Sequence, residues 1–366
     1  MKIKTNKSEI LKALYLVSGS VDKKGVMPIL ANVMIEAKGG KVHLVSTDLS
    51  ILTRSNFDCF IEEEGKTTVP AQIFLDIIKK APVGEISIIQ ESPTILQIKS
   101  GKSRYKLPCL DAAIFPELSE DEFSDEIEIN AQELSAIIKS TSFAISNDET
   151  RYYLNGLCLQ ALKDESGSKL YAVATDGHRL AISSMKIDFK DSFKVIIPKK
   201  SVIEIKKIID NSSNVKLLAS SSKIKIIADQ SSITSKLIEG DFPDYNKVIP
   251  KNNDKIVTIN KKIFFDCINR VSTVSTDNHR SVGVTLANNK MSMQVDAKGG
   301  LFAYEESSIN YSSGQINIGF NSHYLLDVIA QIEDDELVIF LKDNNSPILI
   351  ESQKMNSQFV IMPVRI

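Results

Sequence analysis

Ala174-Thr-Asp-Gly-His-Arg-Leu-Ala181 follows the apolar run Leu170-Tyr-Ala-Val173 and leads into Ile182, so it reads as strand, tight turn, strand. Asp176-Gly177 makes the turn, because glycine accepts the positive φ that a tight turn imposes. Asp176, His178 and Arg179 fall within four residues. That density of polar chemistry also suits a catalytic centre, and the surrounding chain has to decide between the readings.

Strands ending in aspartate recur at Ser46-Thr-Asp48 and Gln294-Val-Asp296. Each of the three follows an amphipathic helical pattern opened by asparagine. Asn6 precedes Ile10, Leu11, Leu14 and Val17; Asn130 precedes Leu134, Ile137 and Ile138; Asn260 precedes Ile263, Phe264, Cys267, Ile268 and Val271. Asparagine is a good N-cap, and Glu9 and Glu133 stand where a capping box expects them. Second helices start at Pro70, Pro198 and Asn321, which lie 64, 68 and 61 residues after the first set. Proline suits the first helical turn, where its missing N–H is no loss. Phe115-Pro116, Phe242-Pro243 and Met362-Pro363 close the units, 46, 45 and 42 residues further on. The same landmarks in the same order predict a threefold repeat. Its remaining segments, such as 41–47, 85–90, 103–107, 223–228 and 337–341, read as short strands between Gly, Asn, Asp and Ser turns. The expected fold is α+β, three repeated domains with two helices on one face of antiparallel sheets in each. Their bounds fall at 1–122, 123–250 and 251–366. The acidic stretch Glu117–Glu128 reads as the first linker and Asn246–Lys255 as the second.

The totals are those of an ordinary globular chain: 366 residues, 43% apolar, 25% charged, net charge −2. No apolar run approaches the roughly 18 residues of a membrane helix. The basic N-terminus has only the short run Ala13-Leu-Tyr-Leu-Val17 and no small-residue cleavage site, so no signal peptide is expected. Cys59, Cys109, Cys158 and Cys267 are scattered without a C-x-x-C pair, as in a cytoplasmic protein with reduced thiols. His43, His178, His279 and His323 show no metal-ligand spacing, and neither a metal nor any other cofactor is expected.

Positive charge is unevenly placed. The helical windows 6–19, 70–81, 130–145, 198–211, 260–275 and 321–332 hold 12 Lys or Arg against 7 Asp or Glu, leaving −7 on the rest of the chain. Basic helices on an acidic protein point to a polyanion facing the helical surface. The densest clusters are Lys199, Lys200, Lys206 and Lys207, then Lys261, Lys262 and Arg270. No groove-reading motif accompanies them, so contact would be with phosphate, independent of sequence and weakened by salt.

Repeat and motifs together resemble the bacterial sliding-clamp family, the β subunits of DNA polymerase III. The resemblance covers the whole chain and is most specific at Arg151-Tyr-Tyr-Leu-Asn-Gly156, Ala174–Ala181, Glu239-Gly-Asp-Phe-Pro-Asp-Tyr245 and Met362-Pro-Val-Arg-Ile366. It implies a head-to-tail homodimer closing a six-domain ring lined by twelve helices. Helix spacing then leaves an opening of roughly 25 Å, wide enough for duplex DNA. It implies processivity by tethering the polymerase III catalytic subunit and other proteins bearing a clamp-binding motif, with no catalytic residue, and loading by a separate ATP-dependent clamp loader. Gly101-Lys-Ser103 lacks the earlier glycine of a phosphate-binding loop, in keeping with a separate loader.

By the same resemblance, a partner's extended segment with a glutamine and apolar anchors would enter a pocket of Leu154, Thr175, Gly177, His178, Arg179, Leu180, Pro243, Val248, Tyr324, Pro347, Val360, Met362, Pro363, Val364 and Arg365. In it Met362 would adapt to several ligands, and Arg179 and Arg365 would bond partner carbonyls or carboxylates. Lys24 would join the helix cations in facing DNA, and Asp148 would weaken any contact from the loop 147–150. Tyr105 and Leu107 would meet Thr273 and Val274 of a second copy.

Two other readings compete. An enzyme using Asp176, His178 and Arg179 is opposed by the sister repeats, which keep the aspartate and lose the other two. A scaffold that binds only proteins shares the groove but predicts no basic hole. Replacing Lys199, Lys200, Lys206 and Lys207 with Glu is expected to impair loading onto circular DNA while peptide binding stays intact. Unchanged loading would favour the scaffold.

Overall fold

A computed structural model describes all residues except 24, 117–122, 124, 125, 165, 166, 276–279 and 366. Lys24, His279 and most of the expected first linker therefore lie outside the described residues. The first repeat runs β1 (Lys2–Asn6), α1 (Lys7–Val17), β2 (Asn32–Lys38), β3 (Lys41–Thr47), β4 (Ile51–Asp58), β5 (Phe60–Glu63), β6 (Gly65–Pro70), α2 (Ala71–Lys80), β7 (Glu85–Ser92), β8 (Ile95–Ser100), β9 (Ser103–Pro108). The second runs β10 (Ile127–Asn130), α3 (Ala131–Ser142), β11 (Gly156–Asp164), β12 (Gly167–Thr175), β13 (Arg179–Lys186), β14 (Phe193–Pro198), α4 (Lys199–Ile209), β15 (Asn214–Ala219), β16 (Lys223–Ala228), β17 (Ser231–Lys236). The third runs β18 (Lys255–Asn260), α5 (Lys261–Ser272), β19 (Ser281–Ala287), β20 (Lys290–Ala297), β21 (Leu301–Ser308), β22 (Ile316–Asn321), α6 (Ser322–Gln331), β23 (Glu336–Leu341), β24 (Ile348–Ser352), β25 (Ser357–Ile361).

Apart from the extra hairpin strand β5, every repeat is β-α-β-β-β twice over. Successive helices start 64, 60, 68, 62 and 61 residues apart, so the repeating unit is half the size expected from the sequence. The two halves exchange their first strands. In the first repeat β1 joins the sheet of order β5-β1-β7-β8-β9, while β6 joins β2, β3 and β4.

The chain divides into two compact units, residues 1–132 with 200–237 and residues 133–199 with 238–366. Within the first unit an eight-stranded sheet of order β10-β15-β16-β17-β4-β3-β2-β6 carries the second repeat into the first through an antiparallel β17·β4 ladder. Within the second unit the sheet of order β14-β11-β12-β13-β25-β24-β23-β18 joins second to third repeat through β13·β25. The remaining sheets end on β9 in the first unit and on β21 in the second. These two stand where the joined strands stand. β21, like β4 and β13, closes a first half; β9, like β17 and β25, closes a second half.

Helices and sheets enclose the cores. In the first repeat Ile10 and Leu14 of α1 and Phe74 and Ile78 of α2 pack with Ile3, Ile35, Leu44, Ile86 and Ile98 from both sheets, all fully buried or nearly so. Each such side chain contributes about 1.5–3 kcal/mol by leaving water. The β17·β4 junction has a helical counterpart. Glu204 of α4 is 6% exposed and pairs with Lys207 at 2.8 Å. The Lys207 ammonium stands 5.7 Å over the Tyr15 ring of α1. Gly19 leaves the space, because a Cβ there would meet the Glu204 carboxylate at 1.9 Å.

Three local expectations need correction. Asn260 and Asn321 cap their helices by accepting from the Ile263 and His323 N–H groups, but Asn6 makes no side-chain cap. Asn6 ends strand β1, paired to Glu85 of β7. Pro70 is the N-cap of α2 and Pro198 the last residue of β14, each one position earlier than expected. The acidic linker overlaps β10, whose ladder to β15 makes 127–130 part of the sheet.

Candidate functional site

The turn of residues 176–178 is built by its own threonine and aspartate. Asp176 Oδ1 accepts from the backbone N–H groups of His178 and Arg179 at 2.9 and 3.0 Å. The Thr175 hydroxyl donates to the Arg179 carbonyl and accepts from Gly177 N–H. Thr47 and Asp48 make the same four bonds around Leu49, Ser50 and Ile51. Gly177 at φ +89° answers to Leu49 at φ +71°. Asp176 is thus a turn residue, as the repeat implied. Asp296 departs from the pattern: it lies inside β20, opposite Phe302, because a Lys298-Gly299-Gly300 turn carries the reversal further along.

The turn holds the C-terminal tail. Beyond β25, Met362 N–H donates to the His178 carbonyl at 2.9 Å and Val364 N–H to the Gly319 carbonyl of β22 at 2.8 Å. Behind turn and tail, Leu154, Leu180 and Val360 belong to one buried cluster with Phe242, Tyr245 and Cys158. They are therefore the floor of the site and not an open slot. Val248 at 46% and Met362 at 37% stay exposed on its rim, as do Pro243, Gly177, His178 and Arg365. Thr175, Tyr324, Pro347, Pro363 and Val364 are half-buried. The segment before Val248 is fixed by Tyr245 Oη donating to Gln160 at 2.9 Å and Lys194 Nζ to the Phe242 carbonyl at 2.8 Å.

Arg179 is engaged within the chain. Its side chain is 10% exposed, with Nε on Asp176 at 3.1 Å and Nη1 on Asp327 at 2.6 Å. Nη2 donates to the Phe143 carbonyl at 3.1 Å, and the guanidinium lies over the rings of Phe143 and Tyr324 at 5.0 and 4.6 Å. Its edges and faces are thus occupied by groups of the chain itself. Arg365 remains exposed at the tail. The His178 ring stacks on Tyr324 with centroids 6.1 Å apart. Burial, then the Asp176 carboxylate, pushes the Tyr324 hydroxyl up. Burial also pushes the Cys158 thiol up to about 12, so this cysteine offers no thiolate at neutral pH.

Arg151 is a residue the sequence reading quoted but gave no role. Its Nε pairs with Asp148 at 2.9 Å, and a Cβ on Gly177 would come within 2.5 Å of its Nη1. Asp148 also caps the helical turn 149–154 by accepting from Thr150 N–H. The Thr150 hydroxyl first, and then Arg151, hold the Asp148 carboxyl down at about 2, so it is spent on local structure at neutral pH.

The helix cations are largely engaged. Lys206 pairs with Asp210, Lys207 with Glu204, Lys200 with Asp48 and Lys262 with Asp266. Lys199 donates to Asn147 and Lys261 to the Ile332 carbonyl. Arg270 reaches Glu305 of β21 through Nε and Nη2, which lowers the Glu305 carboxyl and raises the guanidinium. At the proposed copy-to-copy contact, Leu107 is buried and Tyr105 half-buried on β9. Exposed Thr273 caps α5, with Val274 beside it. The sequence reading missed β21, with Leu301, Phe302 and Tyr304 all exposed, although the Gly299-Gly300 turn before it was a signal that could have found it.

Repeats joined edge to edge, with a turn-and-tail site on an apolar floor, define a clamp-type binding protein. The descriptions of the N-terminal, central and C-terminal domains of the DNA polymerase III beta subunit match residues 1–119, 128–244 and 246–365. The beta sliding clamps of Caulobacter vibrioides and Escherichia coli are 35% and 33% identical over the full length of both chains. A sliding clamp from Bartonella birtlesii, solved with griselimycin bound, superposes with a TM-score of 0.94 at 37% identity, covering 100% of both chains. The Caulobacter crescentus clamp gives 0.94 at 35% identity over 100% of this chain and 99% of that one. The chain belongs to the DNA polymerase III beta subunit family, the non-catalytic sliding clamps.

Gly177→Ala tests the turn. An alanine at φ +89° meeting Arg151 is expected to lower stability by about 1–2 kcal/mol. Thermal unfolding at matched concentration reads the loss, and an unchanged midpoint would show that the turn tolerates a Cβ.

Proposed function

We propose that two copies of this chain close head to tail into a ring around duplex DNA, and that the turn-and-tail site tethers the replicative polymerase to it. The observation that carries this is the pair of unjoined edges. β17·β4 and β13·β25 join neighbouring repeats within the chain, and β9 and β21 are the equivalent strands left over. A third junction of the same kind, between β9 of one copy and β21 of another, closes the series of three repeats into six. The charges are complementary: β9 carries Arg104 and Lys106, and β21 carries Glu305 and Glu306. Tyr105, Leu107, Thr273 and Val274 would flank that ladder, with exposed Phe302 and Tyr304 beside it.

The domains of the ring would be residues 1–122, 123–250 and 251–366. The helix cations would face DNA. Exposed ion pairs are worth about 0–1 kcal/mol, so Lys200, Lys206 and Lys262 could exchange their present acids for phosphate at little cost, as Lys199 could its contact with Asn147. Lys207, on the buried Glu204, and Lys261, on the Ile332 carbonyl, are more firmly held. Arg270, held by two nitrogens on Glu305, is the least available of the set. Contacts of this kind permit sliding, and retention rests on the closed ring. Opening it would fall to a separate ATP-dependent loader. The polymerase, the loader and other proteins with a clamp-binding motif would compete for the groove of Leu154, Thr175, Gly177, His178, Leu180, Pro243, Val248, Tyr324, Pro347, Val360 and Met362–Arg365. Griselimycin, seen with the Bartonella relative, would occupy the same groove. No helix among the described residues is long and apolar enough to cross a membrane, and the reading places the work in the cytoplasm.

Light scattering with small-angle scattering tests the ring. The expected particle has twice the 40.5 kDa chain mass and a hollow distance distribution. Tyr304→Pro, which removes a donor from β21, is expected to yield monomers that are not retained on circular DNA. A wild-type monomer at tens of micromolar would overturn the reading.

A further inference from the structure

Asp327 is far in sequence from the turn, yet its carboxylate holds Arg179, the cation on Asp176 of the turn. We propose that Asp327, acting through Arg179, is a positioning residue for the ligand groove, and that Arg179 serves the groove as a strut and not as a ligand contact. The inference rests on the groove reading given above.

The chain of bonds is short. Asp327 Oδ2 accepts from Arg179 Nη1 at 2.6 Å, and Arg179 Nε donates to Asp176 Oδ2 at 3.1 Å. The other oxygen of Asp176 fixes the His178 and Arg179 N–H groups, and the His178 carbonyl then holds Met362 N–H at 2.9 Å. One carboxylate on α6 thus sets the aspartate that shapes the turn, and the turn sets the tail that lines the groove. The rings of Phe143 and Tyr324 hold the guanidinium plane, and the Phe143 carbonyl takes another donor. A ligand meeting the rim finds little of Arg179, which is 10% exposed, whereas Asp327 is 47% exposed and could be changed without opening the core.

Position in the repeat supports the assignment. Asp327 is the sixth residue of α6, as Glu204 is of α4 and Asp76 of α2. In the first unit Glu204 serves the α1–α4 contact through Lys207 and Tyr15. In the second unit the acid of that position turns to Arg179, whose counterpart beside Asp48 is the apolar Ile51. An acidic position common to the second half of each repeat meets the groove turn at this junction alone of the two within the chain.

Asp327→Ala and Arg179→Lys, each alone and combined, test this. Arg179→Lys keeps the charge but loses the planar fork and its stacking. Each single change is expected to raise the Kd for griselimycin about tenfold, and the double change no further, because the two act in one chain. Amide hydrogen exchange at Met362, read without ligand, should quicken in both single variants while solution mass is unchanged. If Asp327→Ala binds griselimycin as the wild type does and its Met362 exchange is unaltered, or if the two losses add, the inference fails. Failure of the wild type to bind griselimycin would instead count against the groove reading, and Met362 exchange would still decide the positioning role.

Discussion

A strand at the edge of a sheet presents a row of unpaired N–H and C=O groups, and that row has to be paired, covered or protected. In this protein the constraint is met by joining repeat to repeat. β4 takes β17 and β13 takes β25, so two eight-stranded sheets each span two repeats. Cutting either junction would expose two edges at once, which is why neighbouring repeats are bound to each other by backbone and not by side chains alone. Sliding on DNA asks for a ring that is firm in the plane of its sheets yet makes only weak contact with its cargo. Backbone ladders supply the firmness without any specific grip on DNA.

The helical side of each junction varies where the sheet side does not. Between first and second repeats a buried Glu204, its Lys207 and the Tyr15 ring fill the gap, and Gly19 makes room. Between second and third repeats the gap holds Phe143, Tyr324 and the Arg179 guanidinium, with Asp327 closing the network. A charged group so placed can hold two backbone segments and two rings together because its donors are rigidly planar. The turn that grips Arg179 is also the one that grips the tail, so the second junction and the groove share one support. A groove formed by a turn, a tail and a buried apolar floor can accept different short segments, since the flexible Met362 stands on its rim.

The positive charge of the helices is more subtle than its count. Among the described residues Lys200, Lys206, Lys207, Lys261 and Lys262 each have an acid or a carbonyl within reach. Weak exposed pairs exchange readily, and contacts that exchange readily do not pin a ring to one place on the duplex. Arg270 shows the opposite case, where two nitrogens on Glu305 tie α5 to the strand that closes its sheet.

The sequence by itself determined the repeat, the helices and the character of the site. Apolar spacing of three and four residues marked all six helices because burial of one face dictates it, and Asp176-Gly177 marked the turn because φ +89° suits glycine. The halved period was also legible, in helix spacings of 60 to 68 residues, once all six are set side by side. Other features were decided only in three dimensions. Asn6 ends a strand as Asn260 and Asn321 do, yet of the three it alone makes no side-chain cap. Arg179 reads as a ligand contact in sequence, and only packing brings Asp327 and Phe143 to it, from 148 and 36 residues away. β21 carries its exposed Phe302 and Tyr304 at a sheet edge, and an edge exists only once strand order is fixed. Local pattern reports what each residue does to its own helix or turn. Which distant carboxylate meets a given guanidinium, and which strand is left unpaired, follow from packing.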